Sequence, residues 1–278
     1  SSDGSQMLAS LFRKTKTPPW EIPARPGESA QALKERRRQA YFDDQIENSA
    51  EWFKRMDFQL DVSGMRVLDL GCGHGALSIG FAERGAASVV GLDLDDDRID
   101  FAKRNLAAAY PELGNRVSFR CEDVMTITDQ FDLIVSKDAF EHIDDLDHVV
   151  GHLHSLLAPG GHLAPGFSPL FFSPFGDHAR FKLSVPWAHA VLPESLLLWW
   201  LNPRTGGQAA SSMELGLNRL TPKQFRQIFD GPDWGNLSIK YNRGDNPLFP
   251  VFRALRTLSP IEKFFTTSIY AVAQRAGH

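Results

Sequence analysis

Val67-Leu-Asp-Leu-Gly-Cys-Gly-His-Gly75 is the stretch on which the fold turns. It opens as a short apolar strand, and glycines at alternate positions then bend the chain and let its backbone approach a bound molecule closely. Ala76 to Arg84 follows with helical character and stops at Gly85, a natural residue just past a helix end. Strand, glycine turn and helix in immediate succession open a parallel α/β sheet. In such a sheet the carboxyl end of the first strand is the switch point where a nucleotide-like ligand binds.

Outward from this stretch, strands and helices alternate. Ser88 to Leu94 reads as a second buried strand. Asp95 to Tyr110 reads as a helix, with acids in its first turn and Ile99, Ala102 and Leu106 on one face. Arg116 to Arg120 and Phe131 to Ser136 are the next strands. Leu146, Val149, Val150, Leu153, Leu156 and Leu157 mark an amphipathic helix ended by Ala158-Pro-Gly-Gly161, and a fifth strand runs from His162 to Phe167. The alternation breaks over 168–219, a stretch rich in Phe, Trp, Leu and Pro. It resumes at Leu220-Thr-Pro-Lys223, where Thr221 suits an N-cap and Pro222 the first helical position. Phe249 to Leu258 is a helix between two last strands, Leu237 to Asn242 and Phe264 to Gln274. Parallel neighbours need crossover connections, so the order predicts an α/β fold with a doubly wound, seven-stranded, mostly parallel sheet, N-terminal helices and an insertion after strand 5.

Residues 1–28 read as a flexible arm. Ser1 to Gln6 looks like a remnant appended ahead of Met7, and the stretch from Met7 to Gly27 carries prolines and mixed charge without periodicity. Ser29 to about Phe58 is helix-like, and Arg36-Arg37-Arg38 within it reads as a solvated face or as part of a helix covering a bound ligand. One domain over 29–278 is expected, with 168–219 as its lid or insertion. With 42% hydrophobic and 23% charged residues the composition is that of a soluble globular protein, and a net charge of −4 argues against a nucleic-acid surface. Cys72 and Cys121 are too few for a disulfide framework or a thiolate zinc site, which favours a cytoplasmic location. No apolar run approaches the ~18 residues of a membrane span.

The spacing Gly-x-Gly-x-Gly, preceded by Asp69, separates two ligand classes. Dinucleotide sites use Gly-x-Gly-x-x-Gly to seat a pyrophosphate on a helix N-terminus. A carboxylate beside the loop would repel pyrophosphate but could attract a cation, directly or through water. That favours the sulfonium and ammonium of S-adenosylmethionine over NAD.

In this order the motifs resemble those of the class I, Rossmann-like S-adenosylmethionine-dependent methyltransferases, strongly over about Met65 to Gly166. Gly91-Leu-Asp-Leu-Asp95 places Asp93 where that family carries the acid for the ribose hydroxyls. Cys121-Glu-Asp-Val124 resembles its adenine corner, with Asp123 toward the exocyclic amine and Val124 against the ring. Phe131-Asp-Leu-Ile-Val-Ser136 and Leu157-Ala-Pro-Gly-Gly161 are similar to its fourth-strand and pre-fifth-strand motifs. The resemblance implies a cofactor-binding set of Asp69, Gly71, Gly73, Gly75, Asp93, Leu94, Asp123, Val124 and Lys137.

The fourth-strand exit, Lys137-Asp-Ala-Phe-Glu-His-Ile143, has the form carboxylate-x-x-Glu-His. It resembles the divalent-cation motif of the metal-dependent quinone-biosynthesis O-methyltransferases and of the enzymes that methylate the 3′ ends of small RNAs, with Asp138 where those carry Glu. Asp138, Glu141 and His142 would then bind Mg²⁺ or Mn²⁺. The alternative is His142 as a plain general base. In the insertion, Ser173-Pro-Phe-Gly-Asp-His178 could aim Asp177 and His178 into the site, with His178 completing the metal shell or sharing catalysis with His142 and Asp138. The bland alternative makes His178 and His189 surface-loop residues. His148 and His152 read as solvated. Leu196-Leu-Leu-Trp-Trp200 is the lid's own core, a hydrophobic substrate wall, or a contact for a partner or the surface of a membrane.

The expected activity is methyl transfer from S-adenosylmethionine to a hydroxyl of a small organic acceptor, with or without a divalent metal. A metal-independent C- or N-methyltransferase using His142 as base is the runner-up. An RNA ribose methyltransferase is a third reading, at odds with the acidic balance.

Overall fold

Ser29 caps the first helix by accepting a hydrogen bond from the Ala32 N–H, and α1 (Ala30–Met56) runs until Asp57 turns left-handed at φ 51°. The computed structural model describes residues 18–57, 59–183 and 185–277, so most of the expected flexible arm lies outside the described residues. Residues 18–28 have no helix or strand, but they are fastened to α1. Arg36 donates to the Pro23 carbonyl and to both oxygens of Glu28, and Arg37 donates to the Ile22 carbonyl. The solvated-face reading holds for Arg37, which is exposed, but not for Arg36 and Arg38, which are half-buried. Arg36 and Arg37 satisfy the carbonyls of an extended segment, and Arg38 pairs with Asp97 at 2.9 Å.

The described residues form two compact units. The first comprises Lys16–Lys137, Gly151–Ala164 and Ala273–His278. Here β1 (Arg66–Leu70) and α2 (Ala76–Glu83) flank the glycine turn. They are followed by β2 (Ser88–Asp93), α3 (Asp96–Ala109), β3 (Val117–Cys121) and β4 (Phe131–Lys137). β1 pairs in parallel with β2 and β4, and β2 with β3. α2 is buried around its whole circumference from Ala76 to Ala82, as a helix without a polar face must be. α1 lays Trp52 and Phe53 against Phe81 of α2, with centroids 6.3 and 5.0 Å apart. α3 is capped by Asp95, which accepts from the Arg98 N–H, and it buries Ile99, Ala102 and Leu106 as their spacing predicts.

α4 (Leu146–Leu156) leads directly into β5 (Leu157–Phe167). The strand therefore starts five residues earlier than read from the sequence. Ala158-Pro-Gly-Gly161 is part of it: Gly160 takes φ 75°, and the Leu157 and Gly160 carbonyls accept from the Arg275 and Gln274 side chains. Gly161 is required there, since a Cβ would sit 2.9 Å from the Ala158 oxygen and 3.0 Å from that of Asp132.

The second unit contains Asp138–Val150 and Pro165–Val272. Its insertion holds α5 (Ala188–Val191) and α6 (Glu194–Thr205) around a core of its own, where Leu197, Leu198 and Leu201 pack with Phe171, Phe172, Phe181 and Leu217. Trp199 points outward, 70% exposed. α7 (Pro222–Ile228) starts with a full capping box between Thr221 and Gln224. β6 (Trp234–Tyr241), α8 (Phe249–Leu255) and β7 (Ile269–Arg275) complete the chain. The last strand begins five residues later than read, because Asn242 claims the backbone ahead of it. Its amide donates to the Phe265 carbonyl and accepts from the Thr267 and Ser268 N–H groups, leaving nothing for a ladder.

The seven strands follow the order β3-β2-β1-β4-β5-β7-β6, with the reversal between β1 and β4 that makes a topological switch point. No helix among the described residues is long and apolar enough to cross a membrane.

Candidate active site

At the carboxyl end of β1 the chain turns through Gly71, Gly73 and Gly75 at φ 74°, 55° and 86°, conformations that side chains rarely adopt. A Cβ on Gly75 would lie 2.4 Å from the Phe119 ring, and one on Gly91 would lie 2.9 Å from the Cys72 sulfur. The turn is thus pressed onto the sheet, with its backbone as the exposed surface. Asp93, at the end of β2, holds this loop. One carboxylate oxygen accepts from the Gly73 N–H and the other from the Asp95 N–H, both at 2.9 Å. Each oxygen keeps a lone pair for a ligand hydroxyl.

Asp69 is buried, and its carboxylate accepts a 2.6 Å hydrogen bond from the Ser78 hydroxyl. Burial pushes its pKa up to about 6, against the opposing pull of that bond and of Lys137. Asp69 therefore supports the loop from inside. Asp123 accepts from the Met125 N–H as the cap of a single 3₁₀ turn, Val124 is buried beneath it, and Leu94 is exposed. Lys137 donates to Gln45 of α1 at 2.8 Å. Gln45 was not picked out from the sequence, and neither was His74, the loop's one large side chain, which lies between the rings of Tyr41 and Phe101, each centroid at 5.0 Å.

A second cluster stands in the other unit. Asp138 takes φ 53° and accepts from the Ser168 N–H. A 3₁₀ turn, Phe140–His142, then presents Glu141 and His142. Asn218 splints this turn, donating through its amide to the Phe140 and Ile143 carbonyls and through its backbone to that of Glu141. Glu141 is 3% exposed, and neither carboxyl oxygen has a hydrogen-bond partner among the described residues. Burial first, then the charge of Asp138, pushes its pKa well above the usual carboxylate range.

The imidazoles beside it have assigned tautomers, because carbonyls only accept. Nδ1–H of His142 donates to the Gly216 carbonyl at 2.5 Å, and Nε2–H of His178 donates to that of Pro169 at 2.9 Å. The other nitrogen of each ring, when unprotonated, can offer its lone pair to an electrophile. Burial drops the His178 pKa to about 4, so that ring is neutral at physiological pH.

One ligand atom from each of Glu141, His142 and His178 lies within 4.8 Å of the others, and Asp138 is outside this group. The donor set fits a divalent cation: an unpartnered buried carboxyl and two imidazoles oriented by backbone carbonyls, as metal-binding histidines are. Asp177 is buried, and its carboxylate accepts from the Phe181 N–H, so it builds the turn that carries His178. His189 is no surface residue. It is 2% exposed, and its Nε2–H donates to the Phe171 carbonyl. His148 is exposed as read, but His152 is half-buried.

Residues 61–166 match the family described as a methyltransferase domain. With the strand order and the glycine loop, that match makes this region a class I, S-adenosylmethionine-dependent methyltransferase domain. More particularly, the chain is similar to enzymes named ubiquinone biosynthesis O-methyltransferase. It is 34% identical to that of Coxiella burnetii over 158 residues, 52% of this chain and 65% of that protein. It is 30% identical to that of Idiomarina loihiensis over 142 residues, 50% of this chain and 51% of the relative. The chain thus spans less than two thirds of the length of either. Among solved structures, an S-adenosylmethionine dependent methyltransferase from Listeria monocytogenes shares the fold with a TM-score of 0.54 at 18% identity, covering 82% of this chain and 99% of that one.

Proposed function

We propose that the protein transfers the methyl group of S-adenosylmethionine to a hydroxyl oxygen of a small organic acceptor, and that Glu141, His142 and His178 hold a divalent cation for this reaction. The observation that carries the metal is Glu141, a buried carboxyl with both oxygens unpartnered beside two imidazoles of fixed tautomer. Oxygen as the acceptor atom is supported by the names of the Coxiella and Idiomarina relatives. A bound cation of this kind polarises an acceptor hydroxyl and lowers its pKa.

The chain's own residues supply the rest. Asp93 offers its carboxylate to the cofactor's ribose, the glycine loop offers its backbone, and Val124 offers an apolar surface to the adenine. The acceptor oxygen attacks the methyl carbon in line, the carbon–sulfur bond breaks, and S-adenosylhomocysteine leaves. Positioning contributes most of the rate. The Nδ1–H of His142 is tied to Gly216, so with a cation bound Nε2 would be spent on the metal and the acceptor proton would pass to solvent water, whereas in a second reading without metal Nε2 takes that proton itself.

Elemental analysis of purified protein and methyl transfer to a phenol panel, with and without EDTA, test the proposal. Chelation should abolish transfer and Mn²⁺ or Mg²⁺ should restore it. Transfer indifferent to EDTA would leave the His142 reading, and calorimetry showing no affinity for S-adenosylmethionine would end both.

A further inference from the structure

Four aromatic rings form a column in the first unit. Trp20, in the fastened segment 18–28, stacks edge-on against Tyr41 of α1. Tyr41 covers His74, and His74 rests on Phe101 of α3, each centroid 5.0 Å from the next. Both ring nitrogens of His74 are buried without a partner. Burial also holds its pKa near 4, so the ring is neutral and puts no charge beside a sulfonium. It is held by ring packing alone.

That packing reaches the cofactor machinery through one peptide. His74 follows Gly73, whose N–H is bound to the Asp93 carboxylate. On the sheet side the Gly71 and Cys72 N–H groups donate to the Leu92 carbonyl, and Gly75 packs against the Phe119 ring. On the other side the His74 ring packs between Tyr41 and Phe101. A tilt of that ring rotates the 73–74 peptide and loosens the bond that aims Asp93.

We propose that Trp20 and Tyr41 are positioning residues for the S-adenosyl cofactor, acting through the His74 ring on the Gly73–Asp93 contact, so that the segment ahead of α1 sets how tightly cofactor and product are held. The inference rests on the S-adenosylmethionine reading of the glycine loop.

Calorimetric titration of the full chain with S-adenosylhomocysteine tests it through a double-mutant cycle. Trp20→Ala should weaken binding about threefold to tenfold, the worth of one aromatic pair, and Trp20→Phe should restore most of it. In a His74→Ala background the same Trp20→Ala change should have no further effect, since the link is already cut. If that background fails to fold, Tyr41→Leu interrupts the column one ring earlier and should give the same result. Equal losses in both backgrounds, or unchanged affinity with only a lower melting temperature, would mean that Trp20 is merely structural and would overturn the proposal. Wild-type protein that does not bind S-adenosylhomocysteine would sink the cofactor reading beneath it.

Discussion

Asp69, inside β1, and Asp93, at the end of β2, both bear on the glycine loop and do opposite things. Asp93 is held by two backbone N–H groups and faces outward, whereas Asp69 is sealed under the turn, where burial outweighs the Ser78 bond. A carboxyl whose folded pKa is raised favours the fold while protonated, so its contribution is complete below about pH 3.8 and is lost as the pH rises through about 6. Asp69→Asn should therefore match wild type in urea near pH 4 and exceed it at pH 8, by up to about 3 kcal/mol for a shift of this size. A variant less stable than wild type at pH 8 would contradict this. Asp93→Ala should weaken S-adenosylhomocysteine binding by about tenfold to a hundredfold, the loss of a charge-assisted pair of hydrogen bonds, as read by calorimetry. Both acids were legible from their places at the carboxyl ends of strands. Their division of labour was not, because it depends on Ser78 and the Gly73 N–H folding back onto them.

At the level of elements, the sequence located nearly every strand and helix of the first unit by periodicity and caps, and it misplaced the starts of β5 and β7 for the same kind of reason. At Leu157 a Pro-Gly-Gly run that signals a stop is accommodated inside a strand because the Arg275 and Gln274 side chains take its carbonyls. Before Ile269 an apolar stretch that signals a strand is held off by Asn242. Neither partner is near in sequence. Asn242→Ala should strip three backbone groups of partners and place a Cβ-bearing residue without Asn's tolerance at φ 50°, lowering stability by about 2–4 kcal/mol in urea unfolding. The turn that carries His178 is equally exacting. A Cβ on Gly176 would fall 1.9 Å from the Leu170 oxygen, so Gly176→Ala should abolish Mn²⁺ binding by disordering that turn.

For the molecule as a whole, the residues proposed to hold the cofactor belong to one unit and those proposed to hold the metal to the other, so the two proposed binding events can be measured separately. Glu141→Gln should reduce Mn²⁺ affinity by about tenfold or more while leaving S-adenosylhomocysteine binding near wild type. Concerted loss of both would contradict the assignment. The Glu141-His142 pair was readable from its motif. His178 was a guess from turn chemistry, and Asn218, which splints the motif from a distant segment, carried no local signal at all. Asp138 completed the motif on paper yet stands outside the cluster in space.

α2 adds a dynamic consequence. A helix with no solvent-facing side has no cheap way to open, so its amides should exchange with deuterium only when the whole unit unfolds. The glycine turn just ahead of it is tied to that helix's sheet, with the Gly71 and Cys72 N–H groups on the Leu92 carbonyl and the Gly73 N–H on Asp93. The proposed cofactor loop is then mounted on an immobile floor, so the sheet and helix that define its resting place hold its shape ready before any ligand arrives.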